Sequence, residues 1–299
     1  MILEYTISNN DTYENVKEVL KAHFNISDRL LLRLKNTQNI LLNGNPSYIS
    51  KPVTIGDKIK VLIDFVEDNS NIVPKKMDLD IIYEDNCYLV VNKPHNMAIH
   101  PSMLHYDDSL SNGIKYYFDL INLQKKIRPV NRLDKDTTGL VIFAKNEYIQ
   151  ECLVSQMKTI KIKKTYIAIC HGIFKEKKGT INLPIARKSG SIIERCVDAS
   201  GDTAITHYSV IAENNTSNIS VVQCLLETGR THQIRVHLSS IGHPIVGDTL
   251  YGTKKDTQIK RQLLHAYKLD FIHPLTKKEV SYISPIPEDM KPFINPITI

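Results

Sequence analysis

Residues 131–139 read NRLDKDTTG, and residues 140–144 continue directly as LVIFA. The second run is short, uninterrupted and apolar, which predicts a buried strand, whereas the first is a charged tight turn. Asp134 and Asp136 therefore stand on a turn that feeds a rigid element, and such a scaffold can hold a reactive side chain in a fixed geometry. An ordinary solvated loop has the same local pattern, so the rest of the chain must decide between the two interpretations.

Two other motif interpretations of this turn fail on position. An EF-hand calcium loop needs a bidentate Glu at its twelfth position, and counting from Asp134 that position is Lys145. The DxDxT spacing is similar to the nucleophile motif of haloacid-dehalogenase-type phosphatases. There the first Asp ends an apolar strand, whereas Asp134 follows the polar run IRPVNRL, residues 127–133.

Composition limits the class of protein. The chain has 299 residues, of which 42% are hydrophobic, enough for a large core and more than one domain. No apolar run approaches the roughly 18 residues of a membrane span, and the polar, acidic start MILEYTISNNDTYENV does not have the pattern of a signal peptide. We therefore expect a cytoplasmic protein without a membrane partner. The five cysteines form no CxxC pair, which argues against a disulfide framework and a thiolate metal site.

The charge is distributed unevenly along the chain. Residues 1–70 hold 8 Lys and Arg against 9 Asp and Glu, whereas the remainder holds 30 against 23 and so carries a net charge of +7. An excess of this kind suits a polyanionic partner. Helical spacing, a Ser27 N-cap and strand-like runs predict that 1–70 is a separate small unit, and the polar stretch 67–71 is interpreted as a linker to a domain over 71–299.

The larger domain is predicted to be rich in strands, with helices near 109–120, 147–157 and 257–265. In THQIRVHL, residues 231–238, apolar residues alternate with polar ones, which favours a strand that carries Arg235 on its polar face. The combination predicts an α+β architecture around a mixed sheet.

Five blocks carry a resemblance to a known family, and they follow one another along the chain in the family's order. NRLDKDTTGLVIFAKN resembles the HRLDxxTSGL signature of the RluA-like pseudouridine synthases, and the similarity extends from residue 81 to residue 267. The other blocks are YLVVNKPHNMAIHPS (88–102), KTYIAICHG (164–172), ETGRTHQIRVHLSSIGHPIVGDTLYG (227–252) and QLLHA (262–266). Five ordered blocks are far more specific than any one of them, so the resemblance favours the reactive interpretation of the turn.

The resemblance implies a pseudouridine-synthase fold, with a mixed, mainly antiparallel sheet and flanking helices. It implies that Asp134 is the catalytic aspartate, that Arg235 is its charge partner and that Tyr166 stacks on the uracil. Pseudouridylation is an isomerisation without redox change, so it implies no cofactor and no metal. Contacts with the RNA substrate are expected from a further set of residues, namely Arg132, Arg230, His237, Leu264, Lys163 and Lys164.

Residues 1–70 are similar to the S4-like RNA-binding module of many family members, through ILLNGNP and GDKIKV, in a degenerate form without its dense arginines. Three positions of the larger domain depart from the family pattern. Asn131 stands where His is usual, Thr138 where Ser is usual, and Asn96 where Gly is usual. Asn tolerates a left-handed backbone better than most residues, so we expect Asn96 to adopt one.

The family resemblance implies a monomeric RNA pseudouridine synthase that acts on specific uridines in structured RNA, with large-subunit ribosomal RNA favoured. A transfer-RNA enzyme is the first alternative. The second, from another class, is a non-catalytic RNA-binding or ribosome-assembly protein of the same fold, which would have no need of a buried carboxylate, tyrosine and arginine in the family's positions.

Overall fold

The computed structural model describes residues 1–103, 105–253, 259 and 261–294. At the N-terminus, four strands pair antiparallel in the order β1-β4-β2-β3 and are covered by short helices. A π-helical turn, Val19–His23, follows the first helix directly. The elements in chain order are β1 (Ile2–Thr6), α1 (Val16–Glu18), α2 (Asp28–Lys35), β2 (Ile40–Leu42), β3 (Asn45–Pro46) and β4 (Lys58–Leu62).

Helix α2 begins as its sequence predicts. Ser27 is the N-cap, and its hydroxyl accepts a hydrogen bond from the backbone N–H of Leu30 at 3.2 Å. An N-cap of this type satisfies one of the donors that a helix start leaves free. Leu30, Leu31 and Leu34 are buried against the small sheet, which confirms the predicted apolar face of this helix.

The rest of the chain is built on a sheet of ten strands, with one separate two-stranded hairpin. Its strands are β5 (Asp80–Glu84), β6 (Tyr88–Lys93), β7 (Arg128–Pro129), β8 (Thr138–Ala144), β9 (Lys163–His171), β10 (Lys178–Asn182), β13 (Ile205–Asn214), β14 (Ile219–Leu226), β15 (Leu264–Ile272) and β16 (Glu279–Ile283), and the hairpin is β11 (Ile185–Arg187) with β12 (Arg195–Val197). The helices are α3 (Leu110–Leu120), α4 (Glu147–Lys158), α5 (Gln233–Ser240) and α6 (Lys291–Ile294).

The large sheet has the order β10-β13-β14-β9-β15-β8-β6-β5, with β7 paired to β8 and β16 to β15. All of its pairings are antiparallel except β8 with β15. Strand β8 is buried along its whole length, as its uninterrupted apolar sequence predicts. The α+β class, with a mixed and mainly antiparallel sheet, is confirmed.

Two of the three predicted helices are confirmed, as α3 and α4, and the hairpin β15–β16 is also found where its sequence predicts it. The third predicted helix, 257–265, lies partly outside the described residues, and its last two positions begin β15 instead.

The strand prediction for THQIRVHL is wrong, because residues 233–240 form helix α5. Six successive residues of this helix, Gln233 to Leu238, are buried. A short helix that is covered on nearly all sides does not need apolar residues at helical spacing. The alternation of polar and apolar residues therefore could not distinguish a strand from this helix. Asn96, by contrast, has the expected left-handed backbone, with φ 55°.

The stretch 67–71 is not a free linker, because Glu67 ties the N-terminal sheet to the rest of the chain. Both oxygens of this carboxylate accept hydrogen bonds from Arg128, at 2.6 Å each, and one also accepts from Arg33 at 3.0 Å. The Arg33 guanidinium reaches Glu147 of α4 at 2.9 Å. A second contact joins the Tyr148 hydroxyl to the carbonyl oxygen of Phe24 at 3.0 Å. The N-terminal unit is therefore docked on α4.

Glu67→Gln is expected to lower the free energy of unfolding by about 2 kcal/mol, because two arginines lose a buried charged acceptor. Burial by itself would raise the pKa of Glu67, but the bonds and charge of Arg128 and Arg33 outweigh it and lower this pKa from 4.5 to about 2. The stabilisation is thus present above pH 4.5 and is lost as the pH falls toward 2. Urea unfolding at pH 7 and at decreasing pH measures both effects.

Glu4→Gln is the matched control, because the Glu4 carboxylate is half exposed and its salt bridge is to the side chain of Lys60. A surface pair of this kind contributes little to stability, because solvent screens the two charges. If Glu67→Gln unfolds at the same urea concentration as the unchanged protein, the network does not fix the N-terminal unit.

Among the described residues, no helix is long and apolar enough to cross a membrane. The five cysteines are all free thiols, and three of them, Cys87, Cys170 and Cys224, are buried as small core residues.

Candidate active site

A cavity opens where the turn before β8, the start of β9 and the start of α5 meet. Seven of the nine residues predicted for the site line it, and they come from four separate parts of the chain. They are Arg132, Asp134, Lys164, Tyr166, Arg230, Arg235 and Leu264. The turn, the two strands and the helix thus converge on one place, although 132 residues separate Arg132 from Leu264 in sequence.

The turn that carries Asp134 is held to β8 by the Asn131 side chain. Its amide nitrogen donates to the carbonyl oxygen of Leu140 at 3.0 Å, and its oxygen accepts from the N–H of Ile142 at 2.9 Å. The buried Asn131 side chain thus pairs with the backbone of β8 in the way that a neighbouring strand would. The departure from the family's usual His therefore leaves the turn firmly anchored.

Lys93 attaches the same turn to the neighbouring segment 94–97. Its side chain is fully buried, and its ammonium donates to the carbonyl oxygens of Pro94 at 2.8 Å, Met97 at 2.9 Å and Lys135 at 2.9 Å. Burial lowers the pKa of Lys93, and the charges of Asp136 and Asp134 oppose that shift. An ammonium with three carbonyl acceptors joins the turn at residue 135 to the segment 94–97.

The pairing of β8 with β15 requires a glycine beside the turn that carries Asp134. Gly139 has φ 111°, and a Cβ there would lie 2.3 Å from the carbonyl oxygen of Ala266. The adjacent Thr138 hydroxyl and the Nδ1 atom of His265 are 2.8 Å apart, in a buried hydrogen bond. Backbone contact this close brings the turn and the start of β15, where Leu264 lies, to the same cavity.

Arg235 bridges two carboxylates. Its Nη1 donates to Asp134 Oδ2 at 3.0 Å, while Nε and Nη2 bind the two oxygens of Asp248 at 2.7 and 2.8 Å. The predicted pair of Arg235 with Asp134 is therefore confirmed in geometry. Burial acts to lower the pKa of Arg235, but Asp248 and Asp134 outweigh it and raise this pKa. The guanidinium is thus a permanent cation that fixes one oxygen of Asp134.

The other oxygen of Asp134 faces His232, whose Nε2 lies 3.9 Å from Oδ1. The Tyr251 hydroxyl accepts a hydrogen bond from the N–H of Arg195 at 2.7 Å and is 2.9 Å from His232 Nδ1. This contact fixes the orientation of the His232 ring, which in its neutral form carries one proton. Burial lowers the pKa of His232, against the opposing charge of Asp134, which favours this neutral form.

Tyr166 and Leu264 form an apolar wall of the cavity. Tyr166 is 7% exposed and Leu264 4% exposed, and both pack in the cluster of buried residues beneath α5. Burial, with the charge of Asp134, raises the pKa of the Tyr166 hydroxyl, which therefore stays protonated at neutral pH. An aromatic ring next to an ionised carboxylate suits a flat heterocycle that is held by stacking.

The cations at the cavity differ in their surroundings. Arg132 is exposed at the mouth. Arg230 donates to the Thr203 carbonyl oxygen at 3.1 Å and to Asp202 at 3.3 Å. Lys164 is buried in the wall, two residues before Tyr166 on β9.

Two of the predicted substrate contacts are not in the cavity. Lys163 is exposed and points to the other face of β9, because successive residues of a strand alternate between faces. His237 is fully buried, with Nδ1 2.9 Å from the Thr206 hydroxyl and Nε2 2.9 Å from the Leu183 carbonyl oxygen. Both ring nitrogens of His237 are occupied by the protein, so its assignment to substrate binding is corrected to a structural role.

The sequence interpretation missed Lys93, His232 and Asp248 as parts of the site. Asp248 sits in the turn GHPIVGD, which was interpreted only as a turn, and a carboxylate next to a buried guanidinium could not be inferred without the tertiary pairing. His232 was interpreted as a structural histidine because a strand would place it and His237 on opposite faces, where they are poor co-ligands for one metal. A helix places residues three apart on the same face, and here that face is turned toward Asp134.

Comparison with known proteins supplies a family for this arrangement. A family model described as RNA pseudouridylate synthase matches residues 87–240, a range that contains Asp134, Tyr166 and Arg235. The uncharacterized RNA pseudouridine synthase YhcT of Bacillus subtilis (strain 168) is 39% identical over 290 residues, which are 97% of this chain and 95% of that protein.

Two further proteins show the same likeness. The ribosomal large subunit pseudouridine synthase D of Blochmanniella floridana is 37% identical over 275 residues, 85% of this chain and 84% of that protein. Among solved structures, human RNA pseudouridylate synthase domain containing 1 superposes with a TM-score of 0.59 and 29% identity, over 70% of this chain and 83% of that one.

Proposed function

The chain belongs to the RNA pseudouridylate synthase family and is an RNA pseudouridine synthase, an isomerase, and we propose that it converts a specific uridine of large-subunit ribosomal RNA through Asp134. The observation that carries the proposal is the bond of 3.0 Å between Arg235 and Asp134 inside a cavity walled by Tyr166. The choice of RNA is supported by relatives named ribosomal large subunit pseudouridine synthase D, at 34–39% identity.

The roles follow from the surroundings of each group. Asp134 is the nucleophile, since Arg235 holds one of its oxygens and leaves the other facing the cavity. Tyr166 stacks on the uracil, with Leu264 packed beside it. The target uridine must leave its stack to reach this wall, at a cost of a few kcal/mol. Arg132, exposed at the mouth, contacts the RNA strand at the position from which the target base has turned out of the stack. Arg230 contacts a phosphate.

The N-terminal unit, residues 1–70, is proposed to be an S4-like RNA-binding module that precedes the catalytic domain, residues 71–299. A compact sheet with α2 packed on it supports this proposal. Arg33 is committed to Glu67 and Glu147, so the cations of α2 that remain exposed for RNA are Arg29 and Lys35. Because the unit is docked, it acts at a fixed distance from the cavity and restricts which uridine is reached.

We expect the enzyme to act as a monomer in the cytoplasm, since one chain supplies every group named at the cavity. A bacterial strain that lacks the protein tests the target. Pseudouridines are mapped in its ribosomal and transfer RNA, with and without the gene and with a gene that encodes Asp134→Asn. Loss of one ribosomal pseudouridine that only the unchanged gene restores is the expected result. Loss in transfer RNA would establish the alternative substrate, and no loss in either would contradict the proposal.

A further inference from the structure

Lys164 is a buried cation that has no partner among the described residues. It is 7% exposed, and its ammonium lines the cavity, 3.5 Å from where a Cβ on Gly229 would lie. Within the part of the chain that the structure describes, no side-chain or carbonyl oxygen accepts a hydrogen bond from Lys164 and no carboxylate pairs with it. Burial alone accounts for the lowering of its pKa.

The other cations of the cavity do not share this state. Arg235 is neutralised by Asp134 and Asp248, Arg230 is bound to Asp202, and Arg132 extends into solvent. A buried charge is costly unless it is paired or hydrogen-bonded. A fold that keeps such a group in the same cavity as its reactive carboxylate offers a hydrogen-bond donor to a ligand that enters the cavity.

The position of Lys164 indicates which part of a substrate it meets. Residues two apart on a strand face the same side, about 7 Å from each other, so Lys164 and Tyr166 project into the cavity together. The charge of Asp134 acts on Tyr166, whereas no carboxylate acts on Lys164. Asp134 therefore acts from the side of Tyr166, and a uracil stacked on Tyr166 with its sugar at Asp134 leaves its other edge for the ammonium, which faces the same cavity.

We propose that Lys164 is a catalytic residue that donates a hydrogen bond to a carbonyl oxygen of the uracil and stabilises the negative charge on the detached base. This role rests on the proposed isomerisation. When a carboxylate oxygen of Asp134 bonds to C1′ and the C1′–N1 bond breaks, its electron pair leaves with the uracil and the charge spreads from N1 onto the carbonyl oxygens. The base then bonds to C1′ through C5 as the bond from Asp134 to C1′ breaks and the carboxylate is released, C5 loses its proton and N1 gains one, so no atom or electron is gained overall.

Lys164→Met and Lys164→Gln test this role, and Lys163→Met is the matched control on the exposed face of the same strand. Removal of one donor to a developing anion typically lowers kcat about 100-fold. We expect that loss for both Lys164 variants, with a much smaller change in KM, and an unfolding temperature equal to or above that of the unchanged protein. Lys163→Met is expected to keep its kcat.

Modified RNA identifies the contacted atom. The substrate is a transcript of the ribosomal RNA segment that cellular mapping identifies, with 2-thiouridine or 4-thiouridine at the target, because sulfur is a weaker acceptor than oxygen. One of these replacements should slow the unchanged enzyme and have no further effect in Lys164→Met. Neutral methylphosphonate linkages beside the target should slow both proteins by the same factor.

Three results would overturn the role of Lys164: an unchanged kcat in both variants, a fall in unfolding temperature in both, or a methylphosphonate effect that disappears in Lys164→Met. The last would assign the lysine to a phosphate. The failure of the proposed function is a different result, in which the unchanged protein forms no pseudouridine in any RNA. In that case the role of Lys164 falls with it.

Discussion

Asp134→Asn is expected to bind RNA as the unchanged protein does and to form pseudouridine at least roughly 10⁴-fold more slowly, as is typical when a nucleophile is removed. The amide has nearly the shape of the carboxylate and still accepts from Arg235, so the cavity is preserved. It is uncharged, however, and cannot form a covalent bond with C1′ of the target uridine. Tritium released from RNA labelled at uracil C5 gives the rate, and filter binding gives the affinity.

Asp136→Asn is the matched control, since Asp136 lies two residues along the same turn and its carboxylate accepts from the N–H of Asn96 at 3.2 Å, outside the cavity. It should lose little activity. Turnover by Asp134→Asn close to that of the unchanged protein, in a preparation shown by mass spectrometry to be free of deamidation, would contradict the assignment of Asp134.

Arg235→Ala is expected to lose activity and about 3–5 kcal/mol of stability, because one substitution strips two carboxylates of their cation. Asp248 is fully buried, so its charge has no solvent to replace the guanidinium, whereas Asp134 is one-quarter exposed. Arg235→Lys should recover part of the stability but little activity, since an ammonium cannot bind Asp248 through two nitrogens and reach Asp134 with a third.

The double variant Arg235→Ala with Asp248→Ala separates the two roles of the arginine. Removal of the orphaned carboxylate should restore much of the stability, as measured by urea unfolding, and none of the activity, because Asp134 still lacks its partner. If activity returned together with stability, Arg235 would serve folding only.

The sequence predicted those elements that are specified locally. Ser27 begins α2 because its hydroxyl caps the helix within three residues, and β8 is a strand because its run of apolar residues is buried on both faces. The site residues Asp134, Tyr166 and Arg235 were chosen by their order in family motifs. Their meeting in one cavity supports that choice, and their roles in the reaction remain to be tested as proposed above.

Predictions failed where the tertiary surroundings decide the local structure. Helix α5 was interpreted as a strand because its polar and apolar residues alternate, whereas the tertiary fold buries both kinds from Gln233 to Leu238. A strand would have placed His232 on the face opposite Arg235 and His237 on the same face as Arg235. The stretch 67–71 has the composition of a linker, but Glu67 meets two arginines, Arg33 and Arg128, that lie 34 and 61 residues away in sequence. No local pattern indicates such a pairing.

By itself, the sequence determined the α+β class, the buried strand β8, the tight turn before it and the family to which the chain belongs. Each of these can be recognised from patterns within short contiguous stretches of residues. Only the tertiary structure decided which charges are paired. In it, Arg235 forms salt bridges with both Asp134 and Asp248, and the Lys93 ammonium donates a hydrogen bond to the turn at Lys135. Lys164 is buried without a partner among the described residues. The free energy of a charge depends on what surrounds it in space, and residues far apart in sequence provide those surroundings.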